Sequence, residues 1–178
     1  MLGFKGLSTT LSPFSLILAV PREPLETAFL FPVEFGYASQ TMLTMQTIDY
    51  SEAKRAVDLI VEKASQVQKA VVVAVADCRG ELIAFARMDN SSVASVVIAM
   101  NKAWTAARAG KPTHEIGEKV RHPEKGHDIA YYGDPKFVGW GGGVPVTKNG
   151  EVVGAVAVSG LSSKEDAELA RLGAESIE

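Results

Sequence analysis

The stretch WGGGVPVTKNGEVVGAVAVSG, residues 140–160, decides the fold. At its centre Asn149-Gly150 separates two apolar runs, and this dipeptide is typical of the two-residue turn of a β-hairpin, because both central residues need a positive φ. The pattern therefore predicts paired antiparallel strands at 144–148 and 151–158. The hairpin does not explain Gly141–Gly143, a run that indicates close approach of the backbone to another element or to a ligand.

The composition is that of a globular protein of one domain. The chain has 178 residues, of which 47% are hydrophobic and 22% charged, both ordinary values. A net charge of −3 gives no support for nucleic-acid binding, which usually needs a basic face. The single Cys78 excludes an intramolecular disulfide framework, and no apolar run reaches the roughly eighteen residues of a membrane span. We expect a cytoplasmic protein that binds neither nucleic acid nor membrane.

Residues 1–44 differ from the rest of the chain. They hold five of the seven Phe and four of the eight Pro but show no sustained period. We interpret them as a disordered or non-native N-terminal extension, followed by one domain at 45–178. The alternative is a secretory signal with SPFSLILAV as its apolar part, although only Lys5 precedes that segment and no clear cleavage site follows it.

From Asp49 onward the pattern indicates an α+β domain. Apolar residues recur at helical spacing after Asp49 or Ser51, and short apolar runs bounded by turn residues indicate strands. Ser163 is expected to cap the last helix, with Asp166 completing a capping box. The expected helices follow Asp49, span 92–109, and follow Thr113 and Ser163, and the expected strands lie at 71–77, 81–87, 136–140, 144–148 and 151–158.

Short connections between consecutive strands predict an antiparallel sheet. Both alternating sets of residues in 152–158 are apolar or small, whereas a sheet with one face in water alternates apolar with polar residues. Helix 92–109 is also apolar on both sides, with Val93 and Val97 on one and Ala99 and Ala103 on the other. A partner subunit is the simplest cover for such surfaces, so we expect a homo-oligomer in which the small residues allow close helix contact.

Several separated motifs resemble those of one family, the GlcG/HbpS-like proteins. The motifs are the glycine-rich hairpin, the acidic helix SSKEDAELARLGAE that follows it, RMDNSS at 87–92 and NKAWTAARAGKPTHEI at 101–116. The family includes the C-terminal domain of PduO-type adenosyltransferases and the OrfY-type proteins of glycerol and diol utilisation. The resemblance covers about residues 47–177. One departure is Ala157, where relatives often have Gly, and the added methyl group narrows any cavity there.

The resemblance implies a profilin-like fold, with a five-stranded antiparallel sheet packed with helices, and assembly into homo-oligomers. It also implies binding of a small ligand. The implied ligand is haem or a related tetrapyrrole. The resemblance further implies haem degradation or an accessory role in cobalamin or diol metabolism. It does not point to any one residue here as the axial ligand of haem iron.

The three histidines are His114, His122 and His127. Neutral imidazole can bind haem iron or a divalent metal, but the spacing matches no standard zinc pattern. We interpret His122 and His127, which lie among charged residues, as part of a solvated loop. His114 opens a predicted helix beside Glu115, and it is our candidate metal ligand or acid–base group. The alternative for His114 is a side chain that holds the loop by hydrogen bonds.

Other candidate ligand-binding residues lie around the predicted helix 92–109. Lys102 stands in an apolar helix and is expected to pair with a ligand carboxylate or to extend to water, while Trp104 is interpreted first as core packing. Arg87 and Asp89 end a predicted strand, and a local ion pair or turn is the alternative to ligand binding for them. The ligand-binding candidates are Arg87, Asp89, Lys102, Trp104, Gly141, Gly142 and Gly143.

Two classes of function remain open from the sequence. The first is an oligomeric binding protein for haem or a related tetrapyrrole. The second is an enzyme that acts on a small anionic metabolite with His114 and Glu115. In either case we expect one pocket between residues 114–116, the glycines at 141–143 and the helix bearing Lys102, closed by a neighbouring subunit.

Overall fold

A computed structural model describes residues 44–177, so the predicted extension at 1–44 lies, apart from Thr44, outside the described residues. The described part has an antiparallel sheet with the strand order β2-β1-β4-β3, packed with helices, which confirms the α+β prediction. The elements are α1 (Tyr50–Gln66), β1 (Val72–Asp77), β2 (Leu82–Arg87), α2 (Ala94–Ala109), α3 (Thr113–Val120), a 3₁₀-helix (Ile129–Tyr132), β3 (Gly143–Lys148), β4 (Glu151–Ser159) and α4 (Ser163–Glu175).

The hairpin forms where the sequence predicts it. Asn149 and Gly150 have φ values of 53° and 81°, so both central turn residues take the positive φ that the dipeptide permits. The first helix also begins as expected, because the Asp49 carboxylate accepts a hydrogen bond from the backbone N–H of Glu52 at 2.8 Å. Glu52 in turn accepts from the backbone N–H of Asp49 at 3.1 Å, which completes a capping box.

The predicted strand at 136–140 is wrong. The hydroxyl of Thr105 donates to the carbonyl of Lys136 and accepts from the N–H of Val138, both at 3.2 Å. One side chain therefore satisfies two backbone groups that a neighbouring strand could otherwise have paired. The sheet of the described residues has four strands rather than five, and the profilin-like topology stays a prediction.

The N-cap of the last helix lies one residue earlier than predicted. Ser162 is the N-cap, and Glu165, not Asp166, completes the capping box. One residue corresponds to a rotation of about 100° around a helix. The shift therefore turns Asp166 into the interior, where only 2% of the residue is exposed.

The two faces of the central strands β1 and β4 carry side chains of different size. One face carries valines, which pack with residues of α1 and α4, among them Ile60 and Ala170. The other face carries mostly alanines, which pack against α2 through Ala99 and Ala103. The chain therefore covers both faces of these strands by itself.

The orientation of α2 corrects the argument for a partner subunit. Ala99 and Ala103 are fully buried against the sheet within the chain, whereas Val93 and Val97 are 70% and 56% exposed. The small residues allow the helix to approach the alanine-lined face, and this close packing turns the larger valines outward. Apolar strand faces consequently give no reason for an oligomer, and that prediction now depends on the outer side of α2. Within 44–177, no helix combines the length and the hydropathy needed to cross a membrane.

Candidate functional site

A buried ion pair joins three elements behind the glycine-rich loop. The ammonium of Lys102 in α2 donates to the carboxylate of Asp166 in α4 at 2.8 Å and to the carbonyl of Val158 in β4 at 2.9 Å. Both charged side chains are only 3% exposed. The other carboxylate oxygen of Asp166 accepts from the backbone N–H of Leu161 at 3.1 Å. These three hydrogen bonds hold the pair between α2, β4 and the start of α4.

The surroundings of Lys102 act on its charge in opposite directions. Burial lowers the pKa of the Lys102 ammonium, while the hydrogen bond to Asp166 and the negative charge of that residue raise it. The expectation that Lys102 pairs with a ligand carboxylate or extends to water is corrected, because Asp166 already occupies the position of the counter-ion. No pattern within 92–109 reveals this partner, which lies 64 residues away.

The three glycines allow the loop before β3 to pass against α2 and α4. A Cβ atom on Gly142, whose φ is +119°, would lie 2.6 Å from the carbonyl oxygen of Val158 and 2.7 Å from the ammonium of Lys102. A Cβ on Gly143 would lie 2.5 Å from the carbonyl oxygen of Lys102, and one on Gly141 would lie 2.8 Å from that of Ser163. Protein atoms therefore fill the space beside the glycines, as the packing interpretation requires.

Thr113 ties the start of α3 to the same loop. Its hydroxyl donates to the carbonyl of Trp140 at 2.6 Å and accepts from the N–H of Gly143 at 3.0 Å. Thr113 is fully buried, so these hydrogen bonds are shielded from water and hold the first turn of α3 in place. His114, the next residue, is consequently fixed at the edge of the loop.

The structure does not bring His114 and Glu115 together. His114 borders a depression of 380 Å³ beside α4, whose wall includes Lys164 and Arg171. Glu115 borders a different depression of 410 Å³, with Lys111 and Lys119 on its wall. Adjacent helical residues point about 100° apart, and the two side chains accordingly border different depressions; a shared catalytic role stays a prediction.

The single predicted pocket is divided into two neighbouring depressions. Lys102 and Asp166 border a cavity of 290 Å³ with Trp140 and Ser159, and His114 borders the separate one beside α4. Ser163 lines both, so the two meet at the start of α4. The glycines at 141–143 line neither.

Arg87 and Asp89 lie at the opposite edge of the sheet from the glycine loop. Arg87 ends β2, and its guanidinium donates to the carbonyl of Ser91 at 3.5 Å, while Asp89 is exposed in the following turn. Because β2 and β3 are the two edge strands, these residues and the glycines are not brought together. Their geometry is that of the local turn considered as the alternative.

His127, interpreted from the sequence as part of a solvated loop, is half-buried and becomes a candidate in the structure. It borders a depression of 390 Å³ with mainly apolar walls, and its ring centroid lies 5.6 Å from that of Tyr132. His122 differs, because its Nδ1 atom accepts from the backbone N–H groups of Glu124 and Lys125 at 3.2 and 3.1 Å. Charged residues flank His127 in the sequence, whereas its neighbours in the folded loop are mostly apolar. These neighbours are Val120, Ile129, Val138, Gly139 and Trp140.

No metal site of several protein ligands is present in the described part of the chain. No group of three or more His, Cys, Asp or Glu side chains within residues 44–177 is placed to hold a metal ion. A haem iron, by contrast, needs only one or two protein ligands, because the porphyrin supplies the other four. Single histidines that border a depression are therefore the relevant candidates.

Comparisons with known proteins support the resemblance. A protein of 15.0 kDa from the dhaT-dhaS intergenic region of Citrobacter freundii is 36% identical over 124 residues, which are 70% of this chain and 87% of that protein. The crystal structure of the Klebsiella pneumoniae protein ORFY has a TM-score of 0.71 at 32% identity and covers 77% of this chain and 94% of its own. The structure of a PduOC–haem complex has a TM-score of 0.68 at 27% identity, with 73% and 94% covered.

The family itself is shown by a match over most of the domain. The model described as "Haem degrading protein HbpS-like" matches residues 48–175, a range that contains α1 through α4 and all four strands of the described sheet. The chain therefore belongs to the HbpS-like family.

Proposed function

We propose that the protein binds haem or a related tetrapyrrole in the depression beside His127. The observation that carries this proposal is the combination of one imidazole with apolar walls and one guanidinium, that of Arg121. A flat apolar ring needs apolar walls, and a pocket of this kind fixes its ligand with a few polar groups. The relative whose solved structure is a haem complex supports this choice of ligand.

The residues around the depression fit the parts of a haem group. Neutral imidazole is the commonest metal ligand among side chains and binds haem iron in many proteins, and His127 is half-buried at the wall. Arg121 can pair with a propionate group, since its planar guanidinium matches a carboxylate. When bound, haem would supply the iron chemistry, and the chain would bind and orient the ring.

The depression beside His114 also has mainly apolar walls, but it is lined by three charged side chains, Lys164, Glu168 and Arg171, where the depression beside His127 is lined by Arg121. Charged side chains lose water contacts against an apolar ring, and this difference favours the depression beside His127. His114 remains the ligand predicted from the sequence and is tested together with His127. We do not extend the proposal to an enzyme that uses His114 and Glu115, because the two side chains border different depressions.

A homo-oligomer is part of the same proposal. Val93 and Val97 lie one turn apart on the outer side of α2 and are 70% and 56% exposed, and Leu82 and Phe85 of the edge strand β2 add exposed apolar surface. A second copy is the simplest cover for these residues. Haem degradation and an accessory role in cobalamin or diol metabolism stay predictions.

The test is a haemin titration followed by the absorbance of the Soret band, with the three histidines replaced one at a time. We expect His127→Ala to weaken haemin binding at least about tenfold, which corresponds to roughly 1.4 kcal/mol. His122→Ala is the matched control, since that imidazole lies in the same loop but accepts hydrogen bonds from the backbone. His114→Ala should bind like the parent protein.

Two results would contradict this assignment. If only His114→Ala loses binding, the ligand predicted from the sequence is correct and the depression beside His127 is not the site. If the parent protein gives no saturable Soret change with haemin, the proposed ligand class is wrong.

A further inference from the structure

Two buried serines continue the rows of alanines that pack α2 against the sheet. On β4, Ser159 lies two residues after Ala157 and on the same face, because alternate residues of a strand point the same way. On α2, Ser95 lies four residues before Ala99 and on the same side of the helix. The two serines are 4% and 5% exposed. Alanines fill the neighbouring positions of both rows, so close packing alone gives no reason for a hydroxyl.

Neither hydroxyl has a hydrogen-bond partner within the part of the chain that the structure describes. The serine hydroxyls that donate there belong to other positions, which are Ser51, Ser65, Ser91, Ser162 and Ser176. Within residues 44–177, the one fully enclosed side-chain nitrogen or oxygen without a partner is Nε1 of Trp104, so the two serine hydroxyls are not fully enclosed. Both serines line the cavity of 290 Å³ beside the buried ion pair, and each therefore presents an unpaired hydroxyl to that space.

Gly160 brings the two serines together at this cavity. It directly follows Ser159 and also lines the cavity, and a Cβ atom on it would lie 3.9 Å from the hydroxyl oxygen of Ser95. Its φ of +138° is one that residues with a side chain rarely adopt. Glycine therefore leaves the wall open beside both hydroxyls, and one small molecule can contact the two.

The charged groups on the wall favour a neutral ligand. Lys102 and Asp166 both line the cavity, but they pair with each other at 2.8 Å, and each side chain is only 3% exposed. Their other hydrogen bonds are made with backbone groups of Val158 and Leu161. An anion would be repelled by the Asp166 carboxylate and a cation by the Lys102 ammonium, and neither charge is free to act as a counter-ion.

The volume and the apolar part of the wall describe the rest of the ligand. A water molecule occupies about 30 Å³ in the liquid, so a cavity of 290 Å³ corresponds to about ten groups of that size. The 57% exposed Trp140 lines the cavity together with Ile98 and Leu161, and an aromatic ring offers a flat apolar surface. A serine hydroxyl both donates and accepts. A sugar ring matches this wall, because it carries hydroxyls at its edge and carbon-bound hydrogens on its faces.

We propose that this cavity binds a neutral monosaccharide of about ten non-hydrogen atoms, which is the size of a pentose. The sugar hydroxyls form hydrogen bonds with Ser95 and Ser159, and the ring packs on Trp140. Trp140 is the one lining residue that this cavity shares with the depression beside His127. The two serines are not part of that depression, so the sugar site does not depend on haem binding.

The experiment follows the indole N–H of Trp140 by nuclear magnetic resonance of the full-length protein labelled with ¹⁵N at tryptophan. The chain contains two tryptophans, and Trp140→Phe assigns their indole signals. D-xylose is titrated, and tetrahydropyran, which is the ring of xylopyranose without its hydroxyls, is the matched control. We expect a saturable shift of the Trp140 signal with xylose and at least about tenfold weaker binding of tetrahydropyran, because the hydrogen bonds to both serines are lost.

The preference for a neutral ligand is tested with D-glucose and D-glucuronate. The two sugars have the same ring and differ in one group, which is a hydroxymethyl in glucose and a carboxylate in glucuronate. We expect glucuronate to bind at least about tenfold more weakly than glucose, because a carboxylate loses water in the cavity without gaining a free counter-ion.

Two variants place the sugar in this cavity. Ser95→Ala and Ser159→Ala each remove one hydroxyl and continue a row of alanines, so both proteins should fold. Each should weaken xylose binding about threefold to tenfold, and the double variant about tenfold to a hundredfold. Ser92→Ala is the matched control, because Ser92 is exposed and is not among the residues that line the cavity. The serine variants should bind haemin like the parent protein, and His127→Ala should bind xylose like the parent protein.

The proposal is overturned if neither xylose nor glucose gives a saturable shift of the Trp140 indole signal in folded protein. Equal affinity for xylose and tetrahydropyran, or for glucose and glucuronate, would overturn it as well, since the cavity would then select neither hydroxyls nor a neutral ligand. If the folded double serine variant binds xylose like the parent protein, the sugar contacts another surface around Trp140 and the assignment to this cavity is wrong.

Discussion

The two faces of the central sheet differ in the size of their side chains, and a buried ion pair joins the helices of the two faces, Lys102 of α2 and Asp166 of α4. The face under α1 and α4 is packed with valines, with Ile60 reaching in from α1. The face under α2 is lined mainly by alanines, against Ala99 and Ala103. Small side chains on both partners let α2 lie close to the sheet. Lys102, on this helix, can therefore reach the carbonyl of Val158 and the carboxylate of Asp166.

This arrangement indicates that the valine face supplies apolar burial and that close packing on the alanine face sets the position of Lys102. Apolar burial is roughly proportional to area and tolerates many side chains of similar volume. A buried ion pair needs every partner in position, because an unpaired charge in the interior is costly. Substitutions on the two faces should therefore lower the unfolding free energy by different mechanisms.

The largest expected effect is the loss of one partner of the buried ion pair. Lys102→Met leaves the Asp166 carboxylate buried without its counter-ion, and we expect about 3–5 kcal/mol of lost unfolding free energy. The double variant Lys102→Met with Asp166→Leu removes both charges and should recover most of that loss, because a hydrophobic pair often replaces an ion pair at little cost. Urea denaturation with linear extrapolation measures both values.

The matched control is the exposed ion pair on α1. Lys54 contacts Asp58, and these side chains are 54% and 62% exposed, so Lys54→Met should leave the urea midpoint almost unchanged. If Lys102→Met costs as little as this control, water reaches the pair and the contrast between the two faces is wrong.

A smaller effect is expected from added volume on the alanine face. Ala103 is fully buried, and Ala103→Leu forces α2 away from the sheet, at an expected cost of about 1–3 kcal/mol. The shift would also lengthen the contact from Lys102 to Asp166. Val97→Leu is the control, because Val97 is 56% exposed on the outer side of the same helix and should change stability by less than about 0.5 kcal/mol in the monomer.

The corresponding change on the valine face is the removal of volume. Val156→Ala leaves a cavity, and we expect a cost of about 2 kcal/mol, near the lower end of the range for large-to-small changes in a core. The contacts of Lys102 should survive this change. If Val156→Ala disrupts the ion pair as strongly as Ala103→Leu does, the two faces are not independent.

Local patterns in the sequence predict the elements better than their contacts. Asn149-Gly150 fixes the hairpin turn and Asp49 caps α1, since in both cases the chemistry lies within a few neighbouring residues. The orientation of α2 escaped prediction because both of its sides are apolar. Close packing on an alanine-lined sheet face decides which side is inside, and periodicity alone does not contain that information.

The candidate site was harder to predict because its partners come from distant positions. Lys102 and Asp166 are 64 residues apart, and neither residue indicates the other in the sequence. The segment 136–140 has the composition of a strand, but the hydroxyl of Thr105 pairs with two of its backbone groups, the carbonyl of Lys136 and the N–H of Val138. The apolar neighbours of His127 likewise lie on both sides of it along the chain. A motif shared with a family can indicate that such residues matter, but not what they contact.

The smallest expected effect concerns acid stability on the valine face, at the start of α1. The hydrogen bond from the backbone N–H of Glu52 and that from the hydroxyl of Ser51 lower the pKa of Asp49 below its usual value of 3.8. The hydrogen bond from Lys148 is the largest of the influences that lower the pKa of Glu52 below 4.5. For a carboxylate whose pKa is lower in the folded state, the stabilisation is complete above the unfolded pKa and is lost as the pH falls through the folded value.

Below about pH 4.5, the unfolding free energy of the parent protein should therefore fall more steeply with decreasing pH than that of Asp49→Asn or Glu52→Gln. The comparison is made by urea midpoints measured from neutral pH downward, with Glu118→Gln as an exposed control on α3. Because both capping groups lie near the surface, water screens their interactions, and the effect should stay smaller than that of Val156→Ala. A Glu118→Gln profile that flattens as much as those of the two capping variants would show that general charge repulsion, and not the cap of α1, causes the acid response.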